Sequence, residues 1–293
     1  MRFLTYQYQG TEAVGVMDRN LDLVIPVSAL GLPYESMTAL ISRAGPEEFA
    51  RLQAASAAPP PEAIPYAAIT KEAPIPEPRQ DIICVGLNYL DHIREAGLRF
   101  EGIDPTKMPE YPVYFSKRVN RAVGDGGLIQ NHFHLDEQLD YEVELAVVIG
   151  KDAKNVSIEE AEDYIFGYTI VNEVSARVLQ GRHGQFYYGK SLDGFTPMGP
   201  WIVTPDELNF PLKLQSFVNG ELRQSSSTDQ LLWSAAYCVS ELSAGITLKA
   251  GTIIATGTPA GVGFGLNPPR YLQTGDVVEC VIAGIGTLRN TVS

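Results

Sequence analysis

The pattern of apolar and polar positions predicts a chain built mainly from β-strands. Short apolar runs with the length of strands recur along the sequence, separated by turn-forming residues. Near the N-terminus they are FLTYQY, EAVGVMD and LDLVIPV, with a turn at residues 18–20. Further along they are DIICVG, VYFSK, YEVELAVVIG, FGYTIVNEV, WIVT, LQSFVNG, TIIATGT and DVVECVIAGIGTLRNTV. The 27 glycines and 20 prolines supply the turns that so many strands require.

Helical patterns are fewer and shorter. Residues 35–56 predict one or two helices, and NYLDHIREAG predicts another. The segment DQLLWSAAYCVSELSAG predicts a helix that ends near Gly245. In SIEEAEDYI, Ser157 and Glu160 have the spacing of a capping box, which predicts a helix at that point. The predicted fold class is therefore α+β, and mostly β.

Two proline clusters, APPPEAIPYAAI and APIPEPRQ, mark a boundary, because proline fits neither a helix interior nor a central strand. We predict a small N-terminal α/β module in residues 1–70, a Pro-rich linker in residues 71–80 and a main domain in residues 81–293. A loop rich in Gly, Pro and charge, at about residues 98–112, is of the kind that often forms a lid.

Composition narrows the possible partners. The 22 Lys and Arg residues face 35 Asp and Glu, which gives a formal charge of −13 and disfavours binding to nucleic acid or to an anionic membrane. An anionic substrate must therefore meet local cations or a metal ion. The segment MRFLTYQYQG lacks the apolar core of a signal peptide and no run is long enough to span a membrane, so we expect a cytoplasmic protein. Cys84, Cys238 and Cys280 lie in apolar stretches without zinc or disulfide spacing, which predicts buried, reduced thiols.

The segment LDYEVELAVVIG carries candidate metal ligands. Side chains alternate along a strand, so Asp140, Glu142 and Glu144 share one face, with successive Cα atoms about 6.5–7 Å apart. The strand then becomes wholly apolar, and carboxylates that enter a core need a compensating cation. A ligand set made of oxygen atoms favours Mg²⁺, Mn²⁺ or Ca²⁺. The alternative is a solvated strand face, and this segment alone leaves both open.

A third acid, Glu173, ends the apolar strand GYTIVNEV, and Arg177 follows four residues later. Arg177 could orient a substrate or pair with acids. The alternative is a surface ion pair between Glu173 and Arg177 on one helical turn.

His92 and Glu95 lie three residues apart and share one face of the predicted helix. A carboxylate beside an imidazole fixes its tautomer and makes it a candidate general base. The alternative is an ordinary surface histidine next to a glutamate. His132 and His134 have no further His or Cys ligand nearby in the sequence, so we assign them to a loop.

Two glycine-rich segments complete the candidate site. Lys190 lies in GKSLDGFTPMGP and could neutralise a developing oxyanion. Backbone amides of GTPAGVGFG, with Thr258, could bind a carboxylate, although turn geometry alone would also explain both segments. The spacing fits neither a dinucleotide fold nor a P-loop, and there is no G-x-S-x-G serine hydrolase motif.

Taken in order, these segments resemble the fumarylacetoacetate hydrolase family, in its bacterial two-module form. The resemblance covers about residues 81–265 and rests on VGLNYLDHIREAG, YFSK, LDYEVELAVVIGK, GYTIVNEVSARVLQ, YGKSLDGFTPMGPWIVT and TGTPAGVGFG. It implies a mixed β-sandwich roll and a homodimer. It also implies a divalent metal ion held by Glu142, Glu144 and Glu173, a catalytic His92–Glu95 dyad with Lys190, and substrate contacts from Arg177, Gln180 and Thr258.

The sequence departs from the family pattern at two positions. The family usually has Asp where this chain has Glu173, and a second Asp where it has Val178. A glutamate can still bind a metal ion, but Ca²⁺ or Mn²⁺ tolerates its extra methylene better than Mg²⁺ does.

Three functions remain open at this stage. The leading hypothesis is hydrolysis of a C–C bond in an acylpyruvate-like β-diketone acid. The second is decarboxylation of oxaloacetate, or isomerisation or decarboxylation of an oxo-muconate-type acid, at the same site. The third, motivated by Glu173 and Val178, is a degenerate member that binds a ligand without turnover.

Overall fold

A computed structural model of the chain describes residues 1–98 and 104–293. The first part holds a small antiparallel sheet and two helices. Its elements are β1 (Arg2–Tyr8), β2 (Thr11–Met17), β3 (Leu23–Pro26), α1 (Met37–Arg43), α2 (Pro46–Ala57), β4 (Ile64–Pro65) and β5 (Thr70–Lys71). The predicted turn at residues 18–20 is present, and Asp18 closes it by accepting hydrogen bonds from the backbone amides of Asp22 and Leu23, both at 2.8 Å.

The rest of the described chain is dominated by strands. The elements are β6 (Ile82–Gly86), α3 (Leu90–Gly97), β7 (Val113–Lys117), β8 (Leu128–Ile129), β9 (Leu139–Asp140), β10 (Val143–Ile149), β11 (Ile165–Asn172), β12 (Ser175–Ala176), α4 (Arg177–Arg182), α5 (Tyr187–Lys190), β13 (Met198–Val203), β14 (Lys213–Val218), β15 (Glu221–Ser227), α6 (Ala235–Gly245), β16 (Ile253–Ala255), β17 (Val277–Ile282) and β18 (Gly286–Val292). Most of these strands coincide with apolar runs in the sequence.

One large sheet runs through both predicted modules. Its strand order is β4-β3-β2-β1-β13-β11-β10-β16-β6-β7, and β5 also pairs with β1. The connection between the modules is the antiparallel pair β1–β13, in which Phe3 lies opposite Ile202. A second sheet has the order β15-β14-β17-β18-β8. The division at the predicted linker, residues 71–80, stays a prediction, since the hydrogen bonding of the large sheet is continuous between the two modules.

The large sheet has a hydrophobic core on each face. On one face, Leu145 and Val147 of β10 cluster with residues of the second sheet such as Leu214 and Cys280, which forms a sandwich. On the other face, Ala146 and Val148 cluster with side chains of the N-terminal helices. β10 is therefore buried on both faces, and this burial fixes the register of the acids at its N-terminal end.

Three local predictions have clear outcomes. The cysteines are free and buried, as expected. The α6 helix ends at Gly245, but it begins at Ala235, after an N-cap at Ser234. The predicted helix at residues 157–165 is wrong: Ser157 and Glu160 do exchange capping-box hydrogen bonds, but only a 3-10 turn follows, at Ala161–Tyr164. The reason is that β11 begins at Ile165, which leaves no room for an α-helix.

The predicted lid at residues 98–112 lies partly outside the described residues, since residues 99–103 are not among them. Within the described ranges, no helix combines the length and the apolar character that a membrane crossing requires.

Candidate active site

Three buried glutamates meet where two central strands begin and end. Glu142 directly precedes β10, Glu144 is the second residue of that strand, and Glu173 directly follows β11. The two strands pair in the register Val143 opposite Asn172. The amide of Glu173 donates to the carbonyl of Glu142 at 2.8 Å, so the two acids are neighbours. One carboxylate oxygen from each of the three residues lies within 4.8 Å of the others. None of the three is more than 3% exposed, so the alternative of a solvated strand face does not hold.

The electrostatics of this cluster fit a hard divalent cation. Burial raises the pKa of Glu144 well above its usual range, and the carboxylates of Glu173 and Glu142 raise it further. One oxygen of Glu173, Oε1, is buried and has no hydrogen-bond partner within the described part of the chain. A cation bound by the three carboxylates would satisfy that oxygen and remove the mutual repulsion.

Two cationic side chains contact the same acids. The Lys190 ammonium donates to Glu142 Oε2 at 2.7 Å and to Glu173 Oε2 at 2.9 Å. Arg177 Nη2 lies 2.7 Å from Glu142 Oε1. Burial alone would raise the pKa of Glu142, but Lys190 and Arg177 outweigh it and hold that pKa well below its usual range. Arg177 is buried and does not form the surface pair with Glu173 that the spacing also allowed.

The predicted dyad is formed on α3. His92 Nδ1 lies 3.2 Å from Glu95 Oε2, and His92 is only 7% exposed. The other carboxylate oxygen of Glu95 accepts a hydrogen bond from the amide of Gly261 at 3.0 Å. Gly265 lies so close that a Cβ there would come within 1.8 Å of Glu95 Oε1. The glycine-rich loop therefore fixes the position of the acid that orients the imidazole.

The same loop also contacts β10 and so supports the candidate metal ligands. Gly257, at φ +98°, donates its amide to Glu144 Oε2 at 2.8 Å. Thr258 Oγ1 donates to the carbonyl of Val143 at 3.0 Å, so its hydroxyl is used for structure as well as lining the cavity. The predicted carboxylate-binding role of Thr258 stays a prediction.

All nine candidate site residues except Glu95 line one cavity of about 440 Å³. Arg177 and Gln180 form part of its polar wall, and Arg177 Nη1 donates to Gln180 Oε1 at 2.9 Å. Another part of the wall is apolar and consists of Val85, Leu87, Phe115, Phe186 and Phe264. The cavity can therefore take a ligand with a charged end and a less polar end.

Four supporting residues were not predicted as site residues. Asp140 accepts from Arg177 Nε at 2.9 Å and from the amides of Gly263 and Phe264. Asn172 Oδ1 accepts from the amide of Glu142 at 3.0 Å. Gln224 bridges the two sheets, and Lys117 is fully buried, with its ammonium donating to the carbonyls of Val174 and Lys190. Only Asp140 carried a signal in the sequence, because it shares the strand face of the two glutamates.

Shortening Glu173 should change the metal preference. In Glu173→Asp we expect the ratio of the Mg²⁺ to the Mn²⁺ dissociation constant to fall by about tenfold, because the shorter acid suits the small octahedral Mg²⁺ ion better. Isothermal titration with each ion measures the ratio. The exposed Glu62→Asp carries the same chemical change away from the site and is the control. An unchanged ratio in Glu173→Asp would show that residue 173 does not select the ion.

Comparisons with known proteins identify relatives of this chain. The family model for the fumarylacetoacetate (FAA) hydrolase C-terminal domain matches residues 81–293. Oxaloacetate tautomerase YisK from Bacillus subtilis (strain 168) is 48% identical over 222 residues, which cover 75% of this chain and 72% of the relative.

Solved structures match over the whole chain. A fumarylacetoacetate hydrolase from psychrophilic Exiguobacterium antarcticum has a TM-score of 0.83 and 37% identity, covering 100% of this chain and 99% of that one. Maleylpyruvate hydrolase from Sphingobium sp. SYK-6, in complex with manganese(II) and pyruvate, has a TM-score of 0.75 and 29% identity, covering 100% and 98%.

Proposed function

The chain belongs to the fumarylacetoacetate hydrolase family of enzymes, and from that premise we propose that it hydrolyses a C–C bond in an acylpyruvate-type 2-oxo acid. The observation that carries the proposal is the His92–Glu95 pair, 3.2 Å apart, beside the cavity that the three buried glutamates line. A base oriented in this way, facing a candidate metal site, is suited to deliver water to a bound carbonyl compound.

The glutamates at 142, 144 and 173 would hold a divalent ion, with Mn²⁺ or Mg²⁺ as the candidates. A bound ion would polarise the 2-oxo group and offset the negative charge of its carboxylate. Arg177 and Gln180 lie on the same wall and would orient that carboxylate end. The apolar wall that includes Phe115 and Phe186 would take the acyl end.

His92 would move the proton in the first step. Because Glu95 engages Nδ1, a neutral imidazole would carry its proton there. Nε2 has no hydrogen-bond partner among residues 1–98 and 104–293, which suits it to accept a proton from water. The water oxygen then bonds to the distal carbonyl carbon, and the C–C bond to C3 breaks. The electron pair of that bond passes to the pyruvate half as an enolate. A proton returned to C3 gives pyruvate and the carboxylic acid.

Lys190 would stabilise the negative charge that develops on oxygen. Two of its three N–H groups donate to Glu142 and Glu173, and the third has no acceptor among the described residues, so it can donate to a substrate oxygen. The two glutamates also hold its ammonium charged, since they raise the pKa of Lys190 against the lowering effect of burial.

The test is turnover of acetylpyruvate in ¹⁸O-labelled water with added Mn²⁺. We expect ¹⁸O in the released acetate, because the water oxygen ends in the acyl half. In His92→Ala we expect kcat to fall by about 10²–10⁴-fold with Mn²⁺ affinity unchanged, since only the general base is lost. Cleavage that persists in His92→Ala would refute this mechanism.

A second candidate function is keto–enol tautomerisation of oxaloacetate, which the 48% identical tautomerase favours. In that reaction His92 would carry a proton between C3 and the 2-oxo oxygen, and no C–C bond would break. NMR in deuterated water measures the exchange of the C3 protons of oxaloacetate for deuterium. Exchange without release of CO₂ indicates tautomerisation, whereas release of CO₂ indicates decarboxylation. If exchange is fast and acetylpyruvate is not cleaved, tautomerisation is the function.

The non-catalytic alternative has less support. It was motivated by Glu173 and Val178, but Glu173 lies within the buried acid cluster, and Val178 is exposed. Homodimerisation stays a prediction.

A further inference from the structure

A second cavity, of about 420 Å³, lies behind the segment that carries the candidate metal ligands. Tyr141 lines this cavity while its neighbour Glu142 lines the active-site cavity, as expected for adjacent residues in extended backbone. The polar part of its wall comes from Asn219, Arg223, Arg270, Gln273 and Asp276. Nothing in the proposed reaction uses this cavity.

Arg223 is the unusual residue of this wall. Its side chain is only 7% exposed, and it lies beside the phenol of Tyr141. Two of its nitrogens, Nε and Nη1, are buried and have no hydrogen-bond partner among the described residues 1–98 and 104–293. A buried guanidinium with unused donors is costly unless an acceptor reaches it.

Among the described residues Arg223 forms an ion pair with one acid, Glu221, and that acid is already occupied. Arg223 Nη2 lies 3.4 Å from Glu221 Oε2, which is longer than a hydrogen bond of normal strength. Glu221 instead accepts from both Nη1 and Nη2 of Arg270, at 2.7 and 2.9 Å. Two guanidinium groups therefore share one carboxylate.

The acid that lines the cavity, Asp276, accepts its hydrogen bonds from neutral donors. Asp276 Oδ1 accepts from the Asn219 amide at 2.7 Å, and Oδ2 accepts from the backbone amide of Gln273 at 2.8 Å. The two guanidinium groups and the two acids therefore balance in formal charge. What remains unused beside this cavity are the two buried donors of Arg223, Nε and Nη1.

We propose that this cavity binds a small organic carboxylate, with Arg223 as the main contact and Arg270 as the second. A guanidinium presents paired donors that match the two oxygens of a carboxylate. Pro269, Tyr271 and Leu272 add apolar surface to the wall, which suits an organic anion better than a free phosphate ion.

The position of the cavity connects it to the dyad. Tyr141 donates its hydroxyl to the carbonyl of Gly261 at 2.9 Å, and the amide of Gly261 donates to Glu95 at 3.0 Å. A ligand that displaces Tyr141 would therefore act on Glu95 through a single residue.

Isothermal titration of the full chain with succinate tests the proposal. We expect saturable binding with a dissociation constant below about 10 mM in the wild type, and a dissociation constant at least about tenfold higher in Arg223→Met. The exposed Arg289→Met, which removes a similar charge elsewhere, should bind as the wild type does. Absence of binding in the wild type, or equal affinity in Arg223→Met, would overturn the proposal.

Two further measurements test the proposal even if Arg223→Met does not fold. Glu221→Gln, at an exposed position, should tighten succinate binding several-fold, because it frees both guanidinium groups from their shared acid. No change in that variant would count against the site. Inorganic phosphate that binds as tightly as succinate, with the same dependence on Arg223, would show that the assignment to carboxylates is wrong.

Discussion

Glu142→Gln is expected to lower kcat by at least about 10³-fold and to abolish measurable binding of Mn²⁺. Glu142 is the acid on which the cluster depends, since one of its oxygens contacts Lys190 and the other contacts Arg177. An amide is a weaker ligand for a hard cation, and its NH₂ group would face a cationic neighbour. Lys190 would keep Glu173 and Arg177 would keep Asp140, but each cation would lose one of its two buried counter-charges, which also lowers stability.

The measurements are Mn²⁺ titration by calorimetry and turnover at the Mn²⁺ concentration that saturates the wild type. Thermal unfolding of the same protein shows whether the variant is folded at the assay temperature. Glu62→Gln, at an exposed position, is the matched control and should be silent. If Glu142→Gln kept wild-type Mn²⁺ affinity, the metal ligands would have to lie elsewhere.

Gly265→Ala is expected to lower kcat/KM by about 10²-fold while Mn²⁺ affinity stays that of the wild type. A Cβ at position 265 would come within 1.8 Å of Glu95 Oε1, so the carboxylate must move. The carboxylate is the end of a flexible side chain and can swing away without unfolding the protein. It would then leave its 3.2 Å contact with His92, and the imidazole would lose its orientation.

Gly245→Ala supplies the control for this substitution. Gly245 lies at the end of α6, and a Cβ there has no heavy atom within 4 Å. We expect its activity to equal that of the wild type. If Gly265→Ala were equally active, the position of Glu95 would not limit the reaction, and the role of the dyad would need revision.

Much of the site could be predicted because its chemistry follows local patterns. Alternation along one strand placed Glu142 and Glu144 on a common face, and helical spacing placed His92 beside Glu95. The order of the motifs indicated the fumarylacetoacetate hydrolase family, which the family match and the solved structures confirm, together with the α+β, mostly β fold. The roles of the individual residues remain predictions.

What could not be predicted depends on contacts between distant segments. Strand β15 was missed because its sequence, ELRQSSS, is polar and lacks a clear apolar alternation. That strand carries Gln224, whose amide group donates to Thr258 Oγ1 at 2.7 Å and accepts from the amide of Val143 at 3.1 Å. The burial of Lys117 could not be predicted either, because its ammonium is held by carbonyls of two segments far along the chain.

The pairing of β1 with β13 limits which N-terminal segments could replace the one that this chain has. Exchange of the N-terminal segment with that of a relative would succeed only if the incoming strand kept the alignment of Phe3 with Ile202. A slip by one residue would turn its apolar side chains away from the core. Removal of residues 1–70 would leave β13 with an open edge, which is a known route to aggregation. The N-terminal segment and the strands that carry the candidate site are therefore expected to be inherited as a unit.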